Sequence, residues 1–386
     1  RFLYENISSL NASDKTEWFI PIKVSSQGTR NISAGLIESS EEPINLNADS
    51  NEWFKLNPDQ TGFYRVNYQT SDLSKLEEAI QNGDLNGKDR LGLQGDAYAL
   101  CRAGYSSVSS FLSLSRAYSR ETEAPVLSDL ASGLRGIENL IEGSDFHNLY
   151  MEFCRGIFQN IAENSGWDKR KSEGHLQALL RSTALSNLGH YGDEDTLHQA
   201  SSKFSLYATN PDSVHPDIRS VVFNLAAKIG NRDTYDLMWN LEKTTELQEE
   251  KVRFHSALTN FSDTYFLNET LERSLTDDIR VQDTIRVIVS VASSGTGRSL
   301  AWDFVRNNWD ELDRRYGDGG FALMRLVSLV SGFSTLERLK EVEDFFSSNP
   351  TPAAERTIEQ AKERVRLNSA WLNKYSREVE DFLRSL

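Results

Sequence analysis

From Ser71 to the C-terminal Leu386 the apolar residues recur at spacings of three and four, and no proline interrupts the stretch between Pro125 and Pro211. Such spacing predicts amphipathic helices, each with one stripe that must be buried against a neighbour. Short Gly, Asn, Asp or Ser breaks divide the run at residues 83–87, 143–144, 189–193 and 230–231, leaving segments of about 12 to 20 residues. Leu73, Leu76 and Ile80 open the first helix, and residues 175–190 are expected to bury a stripe of Leu176, Leu179, Leu180, Thr183 and Leu188. The strongest period lies at the end, where Ile358, Ala361, Val365, Asn368, Leu372, Tyr375, Val379, Phe382 and Leu386 form a heptad-like seam. Asn368 places an amide in that seam which must find partners if buried. A single helix of this kind closes a helical stack or pairs with a second copy. About sixteen short helices joined by tight turns predict a mainly α protein, an α-superhelical, HEAT- or armadillo-like solenoid of antiparallel pairs.

The first 70 residues read differently. They hold Pro21, Pro43 and Pro58, and Trp18, Ile20, Ile22 and Val24 alternate as on a pleated strand. Ile32, Ala34 and Leu36 repeat this weakly. Phe54 and Leu56 lead into the turn 57–62, after which Tyr64, Val66 and Tyr68 alternate again, predicting a strand on each side of the turn. Residues 1–70 are therefore expected to form a small β-sandwich or part of one, and residues 71–386 the helical domain.

Lys plus Arg number 42 against 57 Asp plus Glu, a net charge of −15, which argues against nucleic acid as a partner. No apolar run approaches the roughly 20 residues of a membrane span. The opening Arg1-Phe2-Leu3 lacks an initiator Met and a signal-peptide pattern, so processing or a chain boundary is expected before it. Two cysteines, Cys101 and Cys154, suit a reducing, cytoplasmic compartment. Five sequons, at Asn6, Asn11, Asn31, Asn260 and Asn268, point the other way, to a secretory route.

Candidates for chemistry are few. His147, His175, His190, His198, His215 and His255 include no His-Glu-x-x-His pair, so no catalytic residues and no metal site are expected within the chain. Gly-x-Ser-x-Gly and a Walker loop are absent. Gly295-Thr296-Gly297 before a helix can receive an anion or be a plain loop. The acidic pairs Glu77-Glu78, Glu249-Glu250 and Asp277-Asp278 read as solvated helix faces. Gly317-Asp318-Gly319-Gly320-Phe321 is less ordinary, because three glycines in four positions permit positive φ and close backbone approach, and Arg325 follows one turn past Phe321.

One stretch, Trp53-Phe54-Lys55-Leu56-Asn57-Pro58-Asp59-Gln60-Thr61-Gly62-Phe63-Tyr64-Arg65-Val66-Asn67-Tyr68, resembles the segment that closes the third domain of M1 zinc aminopeptidases. Matches follow in order at residues 89–94, 173–176, 179–181, 248–251, 301–304, 308–309 and 354–358. Arg280-Val281-Gln282-Asp283-Thr284 and Gly319-Gly320-Phe321 look most like the puromycin-sensitive branch. The resemblance implies the C-terminal half of such an enzyme, its third and fourth domains. The zinc ligands, the Gly-x-Met-Glu-Asn anchor and the catalytic Tyr of the family would then lie in an N-terminal catalytic half, which becomes the expected partner, with peptides as substrates. It further implies that the helical domain arches over the active site and limits substrate length, with Asp318, Gly319, Gly320, Phe321 and Arg325 lining the substrate chamber. A standalone peptide- or protein-binding scaffold and a heptad-driven dimerisation module are the competing expectations.

Overall fold

A computed structural model describes residues 18–27, 29–38, 51–318 and 320–386. Three strands, β1 (Ile20–Ser26), β2 (Thr29–Ile37) and β3 (Phe54–Leu56), form one antiparallel sheet in the order β2-β1-β3. Ile22 and Val24 are buried as their alternation predicts, while Trp18 precedes the strand and is exposed. Among the described residues there is this single sheet; the part of the sandwich expectation that concerns residues 1–17, 28 and 39–50 lies outside the described residues.

Helices follow without further strands among the described residues. The first eight are α1 (Thr70–Asn82), α2 (Gly87–Ala103), α3 (Val108–Arg116), α4 (Ala124–Ile141), α5 (His147–Ser165), α6 (His175–His190), α7 (Glu194–Thr209) and α8 (Pro216–Lys228). The rest are α9 (Arg232–Thr244), α10 (Gln248–Leu258), α11 (Thr264–Arg273), α12 (Val281–Val291), α13 (Gly295–Asn307), α14 (Trp309–Tyr316), α15 (Phe321–Val327), α16 (Leu336–Ser348) and α17 (Glu355–Arg384). The breaks read from sequence separate α1 from α2, α4 from α5, α6 from α7 and α8 from α9. Ser107, Asp193, Asn231, Asp263, Ser294 and Thr335 accept backbone N–H bonds as N-caps, so polar breaks stop one helix and start the next.

Consecutive helices pair, as α5 with α6 and α7 with α8, and α2, α4, α6, α8 and α10 contact one another in a row. One helix joins parts of this helical array that are distant in sequence. Helix α17 touches α3, α4 and α5 as well as α15 and α16, carrying the end of the chain back to its beginning. Its N-terminal residues Ile358, Ala361 and Val365 sit in a core built from residues 204–365, whereas Trp371, Tyr375, Val379 and Leu383 sit in a core built mostly from residues 73–225. The seam is thus consumed inside the chain. Leu386 is exposed beyond the helix end. Asn368 finds three partners: its amide donates to Ser331 O and Phe333 O, and its carbonyl accepts from Arg102 Nη2.

Two pattern-based expectations fail for a shared reason, that polar groups hold the interior. The segment 64–68 is not a strand. Val66 N–H donates to Asp96 Oδ2 at 3.1 Å, and Leu56 N–H donates to the Tyr68 hydroxyl at 2.8 Å, so side chains take the place of a ladder. In α6 the stripe is displaced: Leu176 and Leu179 are exposed, and Ala178, Arg181, Ala184, Leu185 and Leu188 face inward. Arg181 earns that position through a bidentate pair with Glu173 and an Nε–H bond to Gly166 O at 3.0 Å, which also caps the end of α5.

The turn after β3 seats the sheet on α2. Asn57, Asp59 and Gln60 all take positive φ, a costly conformation for residues with a Cβ. Asn57 offsets part of that cost by bridging the turn, its amide donating to Gly62 O and its carbonyl accepting from Gly62 N. Asp59 N–H donates to Asp89 Oδ1, and Asn86 ties Asp59 to Asp89. Lys55, fully buried beside these acids, donates to Leu56 O. Burial lowers its pKa against the opposing pull of Asp89 and Asp96.

Candidate functional site

Helix α14 ends at Gly317, where an added Cβ would meet Asp313 O and force the backbone to shift. Gly320, at φ 102°, takes a conformation that favours glycine and precedes α15. Gly319 lies outside the described residues. Leu323, Leu326 and Val327 anchor α15 in the core. The opposite face is open: Phe321 is 92% exposed, Met324 and Arg325 are exposed beside it, and Asp318 is exposed on the turn. Phe321, Met324 and Arg325 stand at i, i+3 and i+4, one helical face.

The expected residues Asp318, Gly320, Phe321 and Arg325 are therefore together on one turn and helix. Met324, which was not among the expected residues, shares their face at i+3 from Phe321. The turn is held from behind by the Tyr316 hydroxyl, which donates to Val281 O at 2.7 Å. An aromatic ring, a flexible thioether and a guanidinium on one exposed face suit a peptide chain: the first two take side chains and the third takes a carbonyl or carboxylate. The ring, the thioether and the guanidinium are binding groups, not general bases.

Several buried histidines and acids elsewhere are committed to internal contacts. His190 donates from Nε2 to Glu138 at 2.8 Å, and His147 approaches the same carboxylate at 3.6 Å. Burial opposes the Glu138 charge, but the His190 hydrogen bonds and the nearby His147 ring hold the carboxylate well below its usual range. Burial lowers His190 to about 4 despite Glu138. His255 Nε2 bonds Glu242 at 3.2 Å in the core, and His215 Nδ1 accepts from Asp217 N. No group of three or more His, Cys, Asp or Glu among the described residues is placed to hold a metal ion.

Two motifs resolve into internal contacts. At the start of α13 the anion is the chain's own: Glu142, from the end of α4, accepts from Gly295 N. Glu250 is not on a solvated face, as the acidic-pair reading expects. It is buried and accepts from Arg219, Arg253 and Tyr207. Only Glu249 of that pair is exposed. Cys101 and Cys154 are buried free thiols. Asn260 and Asn268 are exposed; Asn6 and Asn11 lie outside the described residues, and Asn31 lies in β2. No helix among the described residues is long and apolar enough to cross a membrane.

Residues 53–367 match the family model described as the ERAP1-like C-terminal domain. Among curated relatives, aminopeptidase M1 of Arabidopsis thaliana is 32% identical over 84% of this chain and 38% of its own length. Aminopeptidase M1-A of Oryza sativa subsp. japonica is 31% identical over 94% of the chain and 43% of its own. Glutamyl aminopeptidase of Homo sapiens is 28% identical over 96% and 39%. The chain thus spans about two fifths of the length of these relatives.

Proposed function

Because this chain belongs to the ERAP1-like C-terminal domain family, we propose that it is the non-catalytic C-terminal portion of an M1 zinc aminopeptidase that removes N-terminal residues from peptides. The observation that carries this reading is the family match across residues 53–367. The proposed branch is the puromycin-sensitive one, with residues 1–70 and 71–386 as its third and fourth domains. The described residues do not assemble a zinc site, and in this proposal zinc and its activated water belong to the N-terminal half of the same polypeptide, with the isolated chain inactive.

In this proposal the helical domain forms an α-superhelical wall of the substrate chamber and limits peptide length. The face of Asp318, Phe321, Met324 and Arg325 meets the substrate. Its exposure supports the assignment, since a ring left 92% in water loses the transfer energy of burial unless something covers it. Two buried free thiols support a cytoplasmic location for the enzyme.

The test uses aminoacyl-coumarin and peptide substrates, with this chain alone and with the separately made N-terminal half. Turnover is expected only on mixing. Chelator-sensitive turnover by the chain alone would overturn the reading. In the mixed enzyme, Arg325→Ala and Phe321→Ala are expected to raise KM for peptides roughly tenfold, an effect of about 1.4 kcal/mol. An unchanged peptide KM in both variants removes this face from the substrate path.

A further inference from the structure

A cleft of about 720 Å³ opens between the loop entering α4 and the loop entering α6, and none of the α15 face lines it. Its floor is the Arg181–Glu173 pair, whose charges cancel. Glu121, the other lining carboxylate, is also committed. It accepts both Arg90 bonds at 2.7 Å and the N–H groups of Thr122 and Glu123.

Two further guanidinia line the same cleft without a carboxylate. Arg120 is exposed and makes no hydrogen bond or ion pair with the described residues, and the Arg170 guanidinium donates only to Asn164 O. Gln177 uses its carbonyl to accept from Gly174 N, which leaves its amide N–H groups for a ligand. Two uncompensated positive charges sharing one concavity, on a chain with net charge −15, are the opposite of what the average surface offers. A cleft focuses such a field, and planar guanidinium forks match the oxygens of a carboxylate or phosphate.

We propose that this cleft is an oxoanion site, taking a phosphate or carboxylate group between Arg120 and Arg170. The assignment does not rest on the aminopeptidase reading. The two sources of that chemistry are a free small anion and an acidic side chain of a peptide.

Calorimetry on the full chain distinguishes them, with inorganic phosphate and an acetylated, amidated Asp/Glu peptide as probes, at ionic strength held constant with NaCl. Saturable binding of at least one probe is expected. Phosphate alone identifies a small-anion site, and the peptide alone identifies an acidic-segment site. The double variant Arg120→Ala/Arg170→Ala is expected to weaken binding at least tenfold while keeping the native melting curve, since both side chains are exposed. Arg377→Ala, 91% exposed on α17, is expected to bind as wild type. The double variant Arg120→Lys/Arg170→Lys, which keeps charge and loses the fork, is expected to be intermediate. Absence of saturable binding by either probe, or equal losses in Arg377→Ala and the double alanine variant, overturns the proposal.

Discussion

The turn that seats the sheet on α2 and the seam of α17 both join residues distant in sequence, but with opposite chemistry. At the turn, Lys55, Asp89 and Asp96 are buried and three consecutive-region residues hold positive φ. Along α17, Ile358, Val365, Trp371 and Val379 are buried apolar groups, with a single amide at Asn368 whose partners are complete. Buried charge costs desolvation and tolerates one geometry; apolar burial contributes most of the adhesion and tolerates small shifts. The turn therefore fixes register, and the seam supplies cohesion.

The largest test of this contrast is Trp371→Ala. That side chain is fully buried and donates from Nε1 to Cys101 O at 3.0 Å, so its loss is expected to cost about 3–5 kcal/mol by chemical denaturation. A loss below about 1 kcal/mol would show that α17 is an accessory strap. Next is Asp96→Ala, expected to cost about 1–3 kcal/mol because the buried Val66 N–H is left without its acceptor.

Lys55→Met separates charge from packing. It is expected to change stability at neutral pH by no more than about 1 kcal/mol, since an apolar chain of similar size replaces a desolvated ammonium. The folded-state pKa of Lys55 is depressed, so the unfolded chain binds more protons and wild-type stability rises as pH climbs towards 10.5; the methionine variant is expected to lose that rise. Acid pH reads the Glu138 cluster instead. With His190 lowered from 6.5 to about 4, the unfolded state takes up a proton that the folded state refuses, so stability falls as pH drops through that window. Glu138, also depressed, adds to the fall below its unfolded value of 4.5. His190→Gln is expected to flatten the upper part of this decline, measured as the urea midpoint against pH. The smallest effect is expected from Phe321→Ala, within about 0.5 kcal/mol in the isolated chain, because the ring touches solvent.

The seam was legible because apolar spacing survives wherever burial is apolar. Residues 64–68 and α6 misled for the complementary reason. Period alone cannot show that Asp96 replaces a neighbouring strand, or that Arg181 is carried inward by Glu173. Glu250 belongs with them, since its partners Arg219 and Tyr207 lie more than thirty positions away. The α15 face proposed to meet substrate was half legible as a surface feature. Glycine chemistry marked the turn, and the family resemblance marked Asp318, Phe321 and Arg325. Met324 needed only the helical spacing. The Arg120–Arg170 cleft was illegible, because its two cations come from loops fifty positions apart.

The return of α17 to the start of the helical array also sets how this chain must be made. Trp371 closes over Cys101, and Glu378 accepts from Ser109 N, so the early helices wait for contacts some 270 positions downstream. Helix pairs form quickly from local contacts, but pairings this remote carry a loop-closure penalty and slow the final step. During synthesis the core around Cys101 stays open until α17 has emerged. The interval before α17 docks is when the nascent helical array is most exposed to aggregation and most dependent on chaperones.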